Sequence, residues 1–164
     1  MNEFKDLIGY AQSIRINALN SVYKGKASHI SSGFSCVELL VYLYFKWLNV
    51  SVKTINDSSR DRFVLSKGHL ALAARRNKNK YRVVALLSDG EMESGSNWEA
   101  LNMASAQKLD NLIVVIDRNG LQAMGFTEDI LPMNNLDQRI NSFGCACETI
   151  DGHNFREIDM SFKR

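Results

Sequence analysis

Apolar positions recur along the chain with two different periods. Phe4, Leu7, Ile8, Ala11, Ile14, Ala18, Leu19 and Val22 fall at steps of three and four, which predicts an amphipathic helix over residues 3 to about 24. Lys24-Gly25-Lys26 supplies its stop. The small, polar stretch ASHISSGFS then predicts a loop. Ser35 and Glu38 have capping-box spacing, and Val37, Leu40, Val41, Tyr44, Phe45 and Leu48 would form the apolar face of a second helix. Residues 50 to 62 are polar, and Phe63–Leu65 reads as a short strand.

The second half is built from unbroken apolar runs. YRVVALLSD and NLIVVIDRNG lack alternation, the signature of strands covered on both faces. CACETID is expected to be a third such strand. Residues 96 to about 108 predict a helix capped by Ser94 or Ser96, with Trp98, Leu101, Ala104 and Ala106 packing. Buried strands alternating with helices imply an α/β fold with a parallel central sheet flanked by helices. LALAARR is short for a helix that crosses a sheet, and it follows SKGH with no intervening loop. The chain therefore reads as one domain over 1–164, with residues missing near 69–70 and after about 157.

Composition narrows the class without naming a function. The chain has 164 residues, 45% hydrophobic and 23% charged, with a formal charge of +2. That charge is too small to argue for nucleic acid or an acidic membrane. Arg75–Lys80 is the densest basic cluster; a solvated helix end and a phosphate or nucleic-acid patch are its two readings. Cys36, Cys145 and Cys147 make no disulfide framework, and the last two would share one strand face as small apolar groups. The N-terminus has no signal-peptide pattern and no segment is long enough to span a bilayer, so a cytoplasmic protein is expected.

The candidate chemistry lies where the two long strands end, at Ser88-Asp89-Gly90 and at Asp117-Arg118-Asn119-Gly120. Ligands bind beyond the carboxyl ends of strands in parallel sheets. Asp, Asn and a backbone carbonyl are oxygen donors suited to Mg²⁺ or Ca²⁺, and Mg²⁺ fills its other positions with water and phosphate oxygens. Gly90 would let backbone approach a phosphate. The plain alternative is that Asp89-Gly90 is a turn and Asn119-Gly120 a hairpin turn, although LQAMGFTE lacks the alternation of a returning strand.

As a set, SKGH, ASHISSGFSCVELLVYLYF, DGHNF and LLSDGEMESGSNWEALNMASAQKLDNLIVVIDRNGLQ resemble transketolases. The likeness covers most of residues 5–157 and is greatest to the N-terminal, thiamine-diphosphate-binding subunit of the split type. It implies the thiamine-diphosphate-binding fold and transfer of a two-carbon ketol unit from a ketose phosphate to an aldose acceptor. Asp89, Asn119 and the carbonyl of Leu121 match metal positions, and Gly90 a position beside the diphosphate. His69 matches a histidine near diphosphate and substrate, and His29 one lining the substrate channel. Glu91 either contacts the cofactor or caps the next helix; His153 either serves the site or is a turn residue. The implied partner is a C-terminal transketolase subunit with the pyrimidine-binding domain, in a homodimer or α₂β₂ assembly. Alternatives are a deoxyxylulose-phosphate synthase, a 2-oxo acid dehydrogenase subunit, or a non-catalytic relative that serves in assembly. Ser88 stands where the resembling proteins have Gly, and Ser94 where they often have Glu. Their Gly-rich segment after SKGH has no counterpart here.

Overall fold

A computed structural model describes residues 3–26, 30–65, 81–122 and 124–164. His29, His69, LALAARR and the basic cluster Arg75–Lys80 lie outside the described residues. The chain divides into two compact units, one of residues 1–48 with 150–164 and the other of residues 49–149.

The first unit is helical. Helix α1 spans Lys5–Gly25, and Lys26 beyond it takes the left-handed conformation that ends it, at φ 48°. Only Leu7 and Ala11 of its stripe are buried; Ile8, Ile14 and Leu19 are exposed. The expected loop after it is partly helical, because Ile30–Ser35 forms a short helix, α2. Helix α3, Val37–Tyr42, runs into a π-helical turn over Leu43–Trp47, where the amide of Leu48 donates to the carbonyl of Leu43. Leu39 and Tyr42 before that wider turn and Leu43 at its start are buried, whereas Tyr44 and Phe45 within it are exposed. The predicted capping box is absent: Cys36 is the cap position, without a side-chain cap bond, and the Glu38 carboxylate binds Arg15 instead. A salt bridge with a guanidinium outcompetes a bond to a free amide.

Helix α7, Phe155–Phe162, completes this unit. Asn154 caps it by accepting the amides of Arg156 and Glu157. Its buried Asp159 accepts the Tyr42 hydroxyl at 3.0 Å and pairs with Lys46 and Lys163. The Trp47 indole donates to the carbonyl of Phe162 at 3.1 Å. Burial would raise the Asp159 carboxyl, but its three donors outweigh this and hold it low.

The second unit carries the parallel sheet. Strands β1 (Arg62–Leu65), β2 (Val83–Ser88) and β3 (Leu112–Asp117) lie in the order β1-β2-β3, so β2 is central. Val83 pairs with Leu112, and Ser88 with Asp117, in the β2–β3 ladder. β2 is buried on both faces through Leu87 as its apolar run requires, whereas β3, at the edge of the sheet among the described residues, is only half-buried. Helix α4, Gly95–Ala106, connects them. Its Leu101 and Ala104 are buried, while Ala106 is exposed. Leu87, Val114 and Ile116 on one sheet face pack with Trp98, Leu101 and Met92, and with Leu136 and Ile140 of helix α6 (Leu136–Ser142). CACETID is not a strand, yet Cys145 and Cys147 both pack against this cluster. Burial raises both thiols, as expected of inert core groups.

Two polar joints fix the ends of the sheet. At its start, Asp61 accepts the amides of Asn49 and Arg82 and both the Nε and Nη2 of Arg82. Asp61 is 4% exposed. Burial alone would raise its carboxyl, but the Arg82 and Asn49 donors more than offset this and lower it. At the far end, the Ser88 hydroxyl accepts the Glu91 amide, and the Glu91 carboxylate accepts the Ser88 amide and hydroxyl. This reciprocal closure opens the 3₁₀ turn Gly90–Glu93.

Replacing Asp61 with Ala should destabilise the protein by about 2 to 4 kcal/mol in chemical unfolding, since charged donors and two amides lose their acceptor. A depressed folded-state pKa contributes stability above the unfolded value of about 3.9, and that contribution is lost as pH falls through the folded value. The acid limb of a stability profile should therefore be shallower in Asp61→Asn than in wild type. Ser88→Gly should cost about 1 to 2 kcal/mol, from the lost closure and added chain entropy, lowering Tm by roughly 2 to 8 °C in thermal unfolding.

Candidate functional site

The sequence places Asp89 and Asn119 at the ends of neighbouring strands, and the register does the rest. Ser88 is paired with Asp117, so Asp89 and the 118–120 loop leave the sheet side by side. The Asp89 amide donates to the carbonyl of Asp117 at 3.1 Å. In return, the amide of Gly120 donates to Asp89 Oδ2 at 2.9 Å. Gly120 reaches this position with φ of 73°, a conformation that favours glycine.

Beyond Gly120 the chain makes a small antiparallel pair of strands, β4 (Leu121–Gln122) and β5 (Gly125–Phe126). A hairpin therefore exists, but its turn lies after Gln122 rather than at Asn119-Gly120. The short helix α5, Thr127–Ile130, follows. Its Thr127 donates its amide to the carbonyl of Gly120 at 3.0 Å and its hydroxyl to Asp89 Oδ2 at 3.1 Å. Asp89 is 2% exposed, and its other oxygen, Oδ1, accepts the Gly90 amide at 2.9 Å.

Asn119 donates to Asp117 at 3.2 Å and accepts the Leu121 amide through Oδ1 at 3.0 Å. The structure thus brings together Asp89, Gly90, Asn119 and Leu121. Among the described residues no group of three or more His, Cys, Asp or Glu could hold a metal ion. The candidate set is of another kind, with one carboxylate, one amide oxygen and one backbone carbonyl. Among the described residues, Asp89 Oδ1 and Asn119 Oδ1 each accept a single bond and so keep lone-pair capacity. Such a donor set fits a hard cation like Mg²⁺ that retains water or phosphate oxygens.

Three neighbours refine the picture. The Glu91 carboxylate accepts the Ser88 amide and hydroxyl across the turn that leaves β2. Glu93 accepts the Gln122 amide at 2.6 Å. The Gln122 Cβ lies 3.1 Å from where a Cβ on Gly90 would stand, so the missing side chain at Gly90 admits Gln122. Ser94 meets Ser96 at 2.9 Å and makes no side-chain cap bond.

His153 falls in the first unit and donates its backbone amide to Asp151 Oδ1, as a turn residue does. Its ring Nδ1 also lies 3.0 Å from Glu38 Oε2. Glu38 is held bidentately by Arg15 at 2.6 and 2.7 Å. Burial would raise the Glu38 carboxyl, but Arg15 and His153 outweigh it and keep it low. These groups, with Asn154 and Arg156, line an open cleft of about 830 Å³. Sequence reasoning missed Arg15 and Thr127. Arg15 occupies an ordinary exposed-looking helix position, and Thr-Glu-Asp reads only as a helix start.

Residues 8–77 match the family model described as transketolase, thiamine diphosphate binding domain. Residues 63–142 match that described as 1-deoxy-D-xylulose-5-phosphate synthase. An apulose-4-phosphate transketolase subunit of Phocaeicola vulgatus is 28% identical over 199 residues, covering 87% of this chain and 71% of the relative. That span exceeds the 164 residues here, so the relative carries internal residues that this chain lacks. The 6-deoxy-6-sulfo-D-fructose transketolase subunit SqwG of Clostridium sp. is 26% identical, with 93% and 77% covered. The crystal structure of transketolase from Campylobacter jejuni superposes with a TM-score of 0.87 at 19% identity, over 96% of this chain and 35% of that one. The chain thus spans about a third of that solved transketolase and has its fold over the matched part. In sequence it is similar to the thiamine-diphosphate-binding domain of transketolases over residues 8–77, and to proteins named as transketolase subunits over most of its length.

Proposed function

We propose that this chain is the cofactor-binding half of a split transketolase, a transferase that moves a two-carbon ketol unit from a ketose phosphate to an aldose acceptor. The observation that carries this reading is the bond from the Gly120 amide to Asp89, which joins both halves of the oxygen-donor set at the carboxyl end of the sheet. Relatives named as single transketolase subunits support it.

In this reading Asp89, Asn119 and the Leu121 carbonyl hold Mg²⁺, or Ca²⁺ in its place, against the diphosphate of thiamine diphosphate. The cofactor supplies the carbon–carbon bond chemistry when bound. The chain's own tasks are binding and orientation. Asp89 contributes the carboxylate, and Gly90, Gly120 and Thr127 hold its orientation. Gly90 gives the loop its close approach. His29 and His69 are assigned proton handling and substrate orientation, roles open to an imidazole whose ordinary pKa is near about 6.5. A separate chain with the pyrimidine-binding domain completes the site in a homodimeric or α₂β₂ assembly, in the cytoplasm.

Two observations favour other readings. The match over 63–142 favours a deoxyxylulose-phosphate synthase type of enzyme using the same cofactor. The internal residues that the Phocaeicola relative carries and this chain lacks favour a non-catalytic assembly partner.

Calorimetry on the full chain with thiamine diphosphate and Mg²⁺ separates these. Saturable heat in wild type, lost in a folded Asp89→Ala variant, is expected. Absence of heat from wild type would select the assembly partner. Ketol transfer should appear only when a C-terminal transketolase chain is added, and transfer without it would contradict the split assignment.

A further inference from the structure

The loop that carries Asn119 and Leu121 is closed by one side chain that no motif assigns. Thr127 is 2% exposed, and its hydroxyl reaches not its own helix but Asp89 Oδ2. Its amide meanwhile binds the carbonyl of Gly120. The Gly120 amide binds the same Asp89 oxygen. Asp89, Gly120 and Thr127 therefore form a closed ring of hydrogen bonds around Oδ2. Backbone amides hold each oxygen of the carboxylate once, Gly90 on Oδ1 and Gly120 on Oδ2, and the Thr127 hydroxyl adds a second donor on Oδ2. The paired donors direct Oδ2 toward the loop, and among the described residues Oδ1 accepts the Gly90 amide and keeps lone-pair capacity.

We propose that Thr127 is a positioning residue for divalent-cation binding, acting through Asp89 without touching the ion. The inference rests on the assignment of the cation to Asp89 and Asn119. Mg²⁺ demands near-octahedral geometry and tolerates a swivelling ligand poorly. Groups that bond to a ligand's second atom typically change metal affinity by roughly 10- to 100-fold when removed. A helix-start threonine that only stapled the loop would affect stability and leave affinity alone.

The test uses the full chain with thiamine diphosphate, titrated with Mn²⁺ and read by the electron paramagnetic resonance of free ion. Thr127→Val keeps the shape and removes the hydroxyl; Thr127→Ser keeps the hydroxyl. Affinity in folded Thr127→Val should fall by about 10-fold or more, with Thr127→Ser staying within about 2-fold of wild type. Wild-type affinity in folded Thr127→Val would overturn the proposal while leaving the metal assignment standing. If the valine variant does not fold, the serine variant decides, because a loss of about 10-fold with the hydroxyl retained would also overturn it. No Mn²⁺ binding by wild type would remove the metal assignment and this inference together.

Discussion

The arrangement at the end of the sheet depends on a carboxylate that is buried and still satisfied. Placing Asp89 at 2% exposure carries a large desolvation cost unless donors replace water. The backbone supplies two, Gly90 and Gly120, and Thr127 the third. Because Gly120 belongs to the loop after β3, satisfying Asp89 also dictates where that loop must lie. Folding of the sheet and assembly of the oxygen donors are thus one event. No separate interaction is needed to bring Asn119 and Leu121 beside the end of β2.

The same device recurs elsewhere. Asp61 gathers donors from Asn49 and Arg82. Within the helical unit, Glu38 joins Arg15 to His153, and Asp159 joins Tyr42 to two lysines. Each is a poorly exposed acid whose burial is offset by several charged or amide donors. A carboxylate can accept several bonds in different directions, so one short side chain can tie segments distant in sequence.

The parts of this design visible in the sequence were those that repeat. β2 announced itself by the unbroken apolar run from Val83 to Leu87, and α4 by its apolar spacing. The Asp89–Asn119 pairing followed because parallel strands put their carboxyl ends together. What escaped depended on contacts made at a distance. The spacing of Glu38 from Ser35 is local and so suggests a cap, whereas its actual partner Arg15 sits on another helix. Tyr44 and Phe45 lie exposed within the π-helical turn, and no rule of regular helical spacing contains such a turn. CACETID has the composition of a strand but no described partner ladder, and it packs on the sheet through its two cysteines without joining it.

Gly90 has a consequence for how this site can change over generations. The space above it is filled by Gln122, whose side chain is tied to Glu93. A side chain at position 90 thus meets the stem of another residue at its Cβ, where rotation gives no relief. A smaller residue at 122 is the change that opens the way for a larger one at 90. A larger residue at 90 with Gln122 kept would press on that stem, and the loop carrying Leu121 would have to give by a few tenths of an ångström to admit it.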